Sequence, residues 1–158
     1  MKTSIRSNAK THLGSSEYVR LVKFLVWLDN KLEIPSATNL EVVVVDDPQD
    51  HRTGSVACKS AKELTLMLNA HDCKDETILN PVTGRYEDWF ATAAHEMVHV
   101  KQFSTSQLTA DTSFYWESKK FHEVQGCKLS YKQYVELPWE AEAFTRQDEL
   151  YQEWLAVE

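Results

Sequence analysis

The stretch Ala94-His95-Glu96-Met97-Val98-His99 is the most informative part of this sequence. Two histidines four residues apart lie on one face of a helix, about one turn apart, so both imidazoles can bind one metal ion. Glu96 follows His95 and is rotated by about 100° around the helix axis, which lets its carboxylate reach water at an open position of that ion. The stretch therefore predicts a metal site built on a helix.

The sequence around the stretch favours the helix that this prediction requires. The run from Tyr86 to Phe103 contains no Gly or Pro, and its apolar residues recur at helical spacing. The alternative is an ordinary buried helix whose histidines form hydrogen bonds, but Glu96 would then be an acid buried at high cost. The pattern is H-E-x-x-H, which is typical of zinc metallopeptidases, where the glutamate is the general base.

Length and composition predict one domain and exclude several classes of function. The chain has 158 residues, of which 42% are hydrophobic, and this suffices for a single core. A net charge of −7 argues against a nucleic-acid binder. No apolar run is long enough to span a bilayer. We expect no membrane association, and monomer is the expected oligomeric state.

The N-terminal residues and the cysteines favour a cytoplasmic protein. Residues 1–14 are polar and lack the apolar region of a secretory signal, so we expect a flexible tail ahead of a domain over residues 15–158. The three cysteines, Cys58, Cys73 and Cys127, form no C-x-x-C pair. This arrangement is typical of reduced thiols.

The remaining sequence predicts an α+β fold with helices at both ends of the domain. An apolar stripe predicts a helix capped by Ser15 or Ser16 and ending near Leu32. Pro138 suits the first turn of a last helix that ends near Trp154.

Strands are predicted between these helices. Residues 40–45 contain four successive β-branched valines and predict a central strand, and residues 55–60 predict a weaker one. Residues 63–69 alternate, with Leu64, Leu66 and Leu68 on one face, as in a half-buried strand that pairs in antiparallel fashion or lies at a sheet edge. Residues 104–113 read as a polar break, and residues 114–121 as a strand or a hairpin.

A catalytic zinc ion needs a third protein ligand besides two histidines. The extended motif H-E-x-x-H-x-x-G-x-x-H is absent, because Gln102 and Thr105 occupy its Gly and His positions. The last helix offers Glu140 and Glu142 instead.

The two acids lie on different faces of that helix. The face of Glu140 has enough apolar surface to pack inward and includes Phe144, Gln147 and Tyr151. Glu142 is rotated by about 200° from it, on a face with Arg146 and Glu149 that we expect to be solvated. Glu140 is therefore the favoured third ligand; the alternative is an acid that only stabilises the helix N-terminus.

With these residues identified, the chain resembles the gluzincin metallopeptidases, in which H-E-x-x-H pairs with an E-x-x-A motif on a later helix. Here His95-Glu96-Met97-Val98-His99 is followed by Glu140-Ala141-Glu142-Ala143. The stretches HEMVHVKQ and LPWEAEA are also similar to small single-domain metallopeptidases of phages, viruses and bacteria. The resemblance covers residues 40–150 and implies a zincin-like fold. It also implies Zn²⁺ bound by His95, His99 and Glu140, with Glu96 as catalytic base.

Some features depart from this family or point to others. Many gluzincins have a supporting aspartate four residues after the ligand glutamate, where this chain has Phe144, so support must come from elsewhere. Peptide deformylases add a cysteine ligand, but Cys127 stands in the wrong order and spacing and is a weak candidate. Proteases of the SprT type usually bring a basic DNA-binding region, which the negative net charge does not supply.

The predicted activity is hydrolysis of a peptide or protein substrate by metal-activated water, with Glu96 as general base. Tyr134 is the first candidate for an oxyanion stabiliser, ahead of Tyr115, His122 and Tyr131. We expect the substrate to add as an extra strand along residues 63–69.

Two alternatives remain open. One is a catalytically weak or inactive zincin-like domain that binds a protein, and Glu96 argues against it because a structural site needs no base. The other is an interaction domain without metal.

Overall fold

The computed structural model describes residues 1–50, 52–71, 89–110, 113–121 and 129–158, which form two sheets and several helices. In chain order the elements are β1 (Lys2–Ile5), α1 (Ala9–Leu13), α2 (Ser15–Leu32), β2 (Asn39–Val45), β3 (Gly54–Ser60), β4 (Glu63–Asn69), α3 (Trp89–Ser104), β5 (Leu108–Ala110), β6 (Phe114–Trp116), β7 (Lys119–Phe121), α4 (Tyr131–Val135) and α5 (Pro138–Leu155). This mixture of helices and a small mixed sheet agrees with the α+β expectation.

The main sheet has the strand order β1-β2-β4-β3. β2 pairs in parallel with both β1 and β4, and β3 pairs with β4 in antiparallel fashion. The register of β2 and β4 aligns their alternating apolar residues, so that Leu40, Val42 and Val44 lie beside Leu64, Leu66 and Leu68. All six are buried, because successive side chains of a strand point to opposite faces and one face packs on the helices. β2 is an inner strand, as predicted.

β4 is also an inner strand, and this corrects one prediction. Its antiparallel pairing with β3 is confirmed, but its other side is occupied by β2, so residues 63–69 offer no free edge to a substrate. The alternation that suggested an edge reports only that one face of the sheet is buried; it carries no information about how many neighbours a strand has. In the described part of the chain, β3 pairs with β4 alone.

The N-terminal residues differ from the flexible tail that the sequence suggested. Residues 2–5 form the edge strand β1, and Ala9 in α1 is fully buried in the core. Edge pairing uses backbone hydrogen bonds and leaves the polar side chains of Lys2, Thr3 and Ser4 exposed. A strand of this kind has no hydrophobic pattern from which it could be predicted.

The long helices agree closely with the sequence. α2 buries the predicted stripe, which includes Leu21, Leu25 and Leu28, although Gly14 rather than a serine is its N-cap. α5 begins at Pro138 as expected. Every residue of α3 except Lys101 and Ser104 is buried, since this helix packs against the sheet, α2 and α5. Among the described residues, no helix has the length and apolar character that crossing a membrane requires.

A small sheet anchors the start of α5. The predicted hairpin is confirmed as β6 and β7, and β5 adds a third strand within the expected polar break. Trp139 packs against this sheet, with ring centroids 5.5 Å from Phe114 and 5.4 Å from Phe121. The aromatic contacts hold the first turn of α5, and hence Glu140, in a fixed position relative to α3.

Candidate metal centre

α3 and α5 bring together the three residues that the sequence proposed as metal ligands. Nε2 of His95 lies 3.1 Å from Nε2 of His99 and 3.2 Å from Oε2 of Glu140. The third side of the triangle, from Nε2 of His99 to Oε2 of Glu140, is 3.5 Å. All three residues are buried, and among the described residues they form the one group of this kind that could hold a metal ion.

The size of this triangle suits a small ion. Zinc bonds of about 2.0–2.2 Å at the tetrahedral angle separate neighbouring ligand atoms by about 3.3–3.6 Å. The three observed separations, from 3.1 to 3.5 Å, are close to that range. The donor set of two imidazole nitrogens and one carboxylate oxygen therefore fits a tetrahedral ion with a fourth position left open.

The hydrogen-bond partner of His99 determines which of its nitrogens faces the triangle. Nε2 of the buried Gln102 donates to the carbonyl oxygen of Trp139 at 3.1 Å and to Oε2 of Glu142 at 3.0 Å. Both partners only accept, so the amide orientation is defined and Oε1 of Gln102 faces Nδ1 of His99 at 2.7 Å. Nδ1 of His99 is thus the donor, and a neutral His99 directs the lone pair of Nε2 at the triangle.

His95 has a similar arrangement. Its Nδ1 lies 3.1 Å from Oε1 of Gln147. The ring of Phe144 packs against the imidazole ring of His95, with 4.5 Å between the two centroids. Gln147 and Gln102 therefore contact the nitrogens of the two histidines that face away from the triangle, where such partners fix the orientation of a ligand ring. Neither glutamine was predicted from the sequence to have this role, although the spacing of Gln102 three residues after His99 indicates proximity on a helix.

Convergence of these electron-rich atoms attracts positive charge. Burial opposes charging of His99, but its hydrogen bond with Glu140 and the charge of that carboxylate outweigh burial and raise the pKa of His99. Burial likewise opposes ionisation of Glu140, yet hydrogen bonds from the two histidines lower the pKa of Glu140 to about 2. The carboxylate of Glu140 is thus a buried negative charge that a proton on His99, or a metal cation in its place, can neutralise.

The sequence suggested that Glu142 lies on a solvated face, but in the structure it does not. Its carboxylate is half-buried and accepts hydrogen bonds from Gln102 and, at 3.3 Å, from Gln107. The helical rotation separated Glu142 from Glu140 correctly. It could not show that the end of α3 and the residues after it cover the second face of α5.

Glu96 belongs to α3, and its side chain lies beside the triangle, against the start of β3. A Cβ placed on Gly54 would be only 2.7 Å from Cγ of Glu96 and 2.9 Å from Cγ2 of Thr92, so the absence of a side chain permits this close approach. Burial raises the pKa of Glu96; the charges of His95 and His99 oppose the shift, and that of Glu140 adds to it.

A cavity of about 280 Å³ opens onto Glu96 and His95. Its walls come from residues 52–54, α3, α4 and α5. Two of the four candidates for an oxyanion stabiliser, Tyr131 and Tyr134 of α4, line it. Tyr115 lies away from it in β6, beneath Lys120. His122 and the weak ligand candidate Cys127 fall outside the described residues.

Tyr134 makes contact with the cluster through its hydroxyl group. Burial of that group raises the pKa of Tyr134 above its ordinary value, and the charge of Glu140 together with a hydrogen bond to it adds to the shift. The residue as a whole is 38% exposed. Tyr134 is therefore both a lining residue of the cavity and a hydrogen-bond partner of Glu140.

Comparison of the sequence with protein-family models and curated proteins, and of the fold with solved structures, found no match.

Proposed function

We propose that this protein is a zincin-like zinc metallopeptidase whose ion is bound by His95, His99 and Glu140. The observation that carries the proposal is the triangle of donor atoms with sides of 3.1–3.5 Å, beside which the carboxylate of Glu96 opens onto a cavity. Structural zinc sites use four protein ligands, whereas catalytic sites use three and keep one position for water or substrate. A buried acid beside three ligands suits the catalytic kind of site.

The residues of the chain have distinct tasks in the proposed reaction. Zinc bound at the cluster would lower the pKa of water and polarise the scissile carbonyl group. Glu96 accepts the proton of the attacking water and transfers it to the leaving amine. The raised pKa of Glu96 supports this task, because a general base acts best when its pKa approaches the working pH. Tyr134 is the proposed donor to the developing oxyanion.

We further propose that an extended substrate pairs with β3. β3 is an edge strand in the described part of the chain, and its first residue, Gly54, lines the cavity beside Glu96. Unpaired backbone groups along such an edge can bind a peptide as an added strand. A zinc-chelating peptide inhibitor should therefore slow amide hydrogen exchange in β3 but not in β1, the opposite edge. Equal protection of both edges, or of neither, would refute this mode of binding.

The variant Glu96→Gln tests the enzyme proposal. Its amide cannot accept the proton of water, so we expect hydrolysis of a peptide library to fall by about 10²–10⁴-fold while one zinc per chain is retained. The matched control is Glu149→Gln, an exposed acid on α5 that should leave both properties unchanged. If wild type and Glu96→Gln cleave a peptide equally well, the cleavage does not depend on Glu96 and the proposed enzyme assignment is refuted.

A further inference from the structure

We infer that Gln102 and Glu142 act together as a positioning relay for His99: Glu142 fixes the orientation of the Gln102 amide, and this amide fixes the tautomer of His99. The inference rests on the proposed metal site and assigns Glu140 and Glu142 of α5 different tasks. Glu140 contacts the ion, whereas Glu142 acts through Gln102 and His99. Neither Gln102 nor Glu142 would touch the metal or the substrate.

The orientation of the Gln102 amide decides whether His99 can bind a metal. An amide can rotate by about 180° and exchange its oxygen with its nitrogen. In the rotated form the NH₂ group would face Nδ1 of His99, which would then have to accept. The proton of a neutral His99 would move to Nε2, the atom that lies 3.1 Å from Nε2 of His95. Nε2 would then have no lone pair with which to bind the ion.

Two acceptors oppose this rotation. The rotated form would place Oε1 of Gln102 against the carbonyl oxygen of Trp139 and against Oε2 of Glu142, which now lie 3.1 and 3.0 Å from the amide nitrogen. Gln102 has no exposed surface, so water could not relieve the repulsion. Gln107 also donates to Oε2 of Glu142 at 3.3 Å and helps to hold the carboxylate in place.

Hydrogen bonds to neutral and to charged acceptors differ in strength. Glu142, rather than the carbonyl group of Trp139, is therefore the stronger constraint on the Gln102 amide. A hydrogen bond to a carboxylate is about twice as strong as one between neutral groups. The Glu142→Gln variant keeps the size of the side chain but can present either an oxygen or an NH₂ group. Gln102 would then lose the strongest constraint on its orientation.

The tautomer of His99 can be measured directly in the metal-free protein. Nitrogen-15 NMR of histidine, at a pH high enough to keep both site histidines neutral, should show the proton of His99 on Nδ1 in the wild type. In Gln102→Met, which has similar length but no amide, and in Glu142→Gln, we expect a mixture of tautomers. A wild-type His99 with its proton on Nε2 would overturn the relay, whatever the result with zinc.

Zinc affinity gives the second readout. Competition with a chelator should show binding about 10–100-fold weaker in Gln102→Met, as is typical when the partner of a ligand histidine is lost. Glu142→Gln should show a smaller loss, and Glu149→Gln none.

The possible failures can be told apart. If Gln102→Met proves unfolded by circular dichroism, Glu142→Gln provides the same test at the other end of the relay. If the wild type binds no zinc, the proposed function fails and the relay fails with it. If the wild type binds zinc and the folded variants bind it equally well, the relay alone is refuted.

Discussion

Replacing Gly54 by alanine would test how firmly the start of β3 fixes the position of Glu96. The added methyl carbon would meet Cγ of Glu96 at 2.7 Å, where ordinary contacts begin at 3.4 Å, so Glu96 or the strand must move by about 0.7 Å. Cγ lies near the helix backbone, and rotation at the end of the side chain cannot relieve the contact. Thr92 blocks the neighbouring space, since its Cγ2 would be 2.9 Å away.

This displacement should have two separate effects, one on the free energy of unfolding and one on the rate of the reaction. Inserting a methyl group into packed surroundings lowers the free energy of unfolding by about 1–3 kcal/mol. Misplacement of a catalytic group by about 1 Å can reduce the rate by about 10²-fold. We therefore expect the kcat of Gly54→Ala to fall by one to two orders of magnitude, while His95, His99 and Glu140 still bind zinc.

The assay is peptide hydrolysis per zinc-loaded molecule, at a temperature at which the variant is fully folded. Gly14→Ala is the control: Gly14 has a φ of 80°, which strains an alanine, but nothing lies within 4 Å of the added carbon. It should lose stability and keep its turnover. If Gly54→Ala also keeps its turnover, the close approach of β3 does not position Glu96.

Two further predictions concern the metal. Glu140→Ala should lose zinc, whereas Glu142→Ala should bind one zinc per chain with weaker affinity; metal analysis after dialysis distinguishes them, and the opposite pattern would exchange the roles of the two acids. Removal of zinc by a chelator should lower the melting temperature of the wild type, because an ion at about a thousand times its Kd stabilises the folded state by about 4 kcal/mol. Glu140→Ala should show almost no change with the same chelator, and an equal shift in both proteins would contradict the assigned site.

The parts of the molecule that could be predicted from sequence are those with a local pattern. Helical spacing identified α2, α3 and α5, and the interval of four residues between His95 and His99 placed both on one face. The third site residue was found because Glu140 shares a face with apolar residues of α5. In each case the helix period converts position in the sequence into position in space.

The remaining features depend on what packs against an element, and a single sequence does not contain that information. The pattern of β4 showed a buried face but not its second neighbour. The pattern of β1 showed only polar residues, although its backbone completes the sheet. Gln102 and Gln147 are ordinary polar residues in the sequence, and only the arrangement of α3 and α5 gives them partners.

The division of the site between two helices also concerns how the chain folds. The histidine pair is present as soon as α3 forms, but Glu140 joins it only after α5 has docked, and the stacking of Trp139 on the small sheet accompanies that docking. A partly folded chain therefore has two of the three ligands and should hold metal weakly. The rate at which cobalt gains its tetrahedral absorption during refolding would consequently follow the docking of α5 rather than the formation of α3.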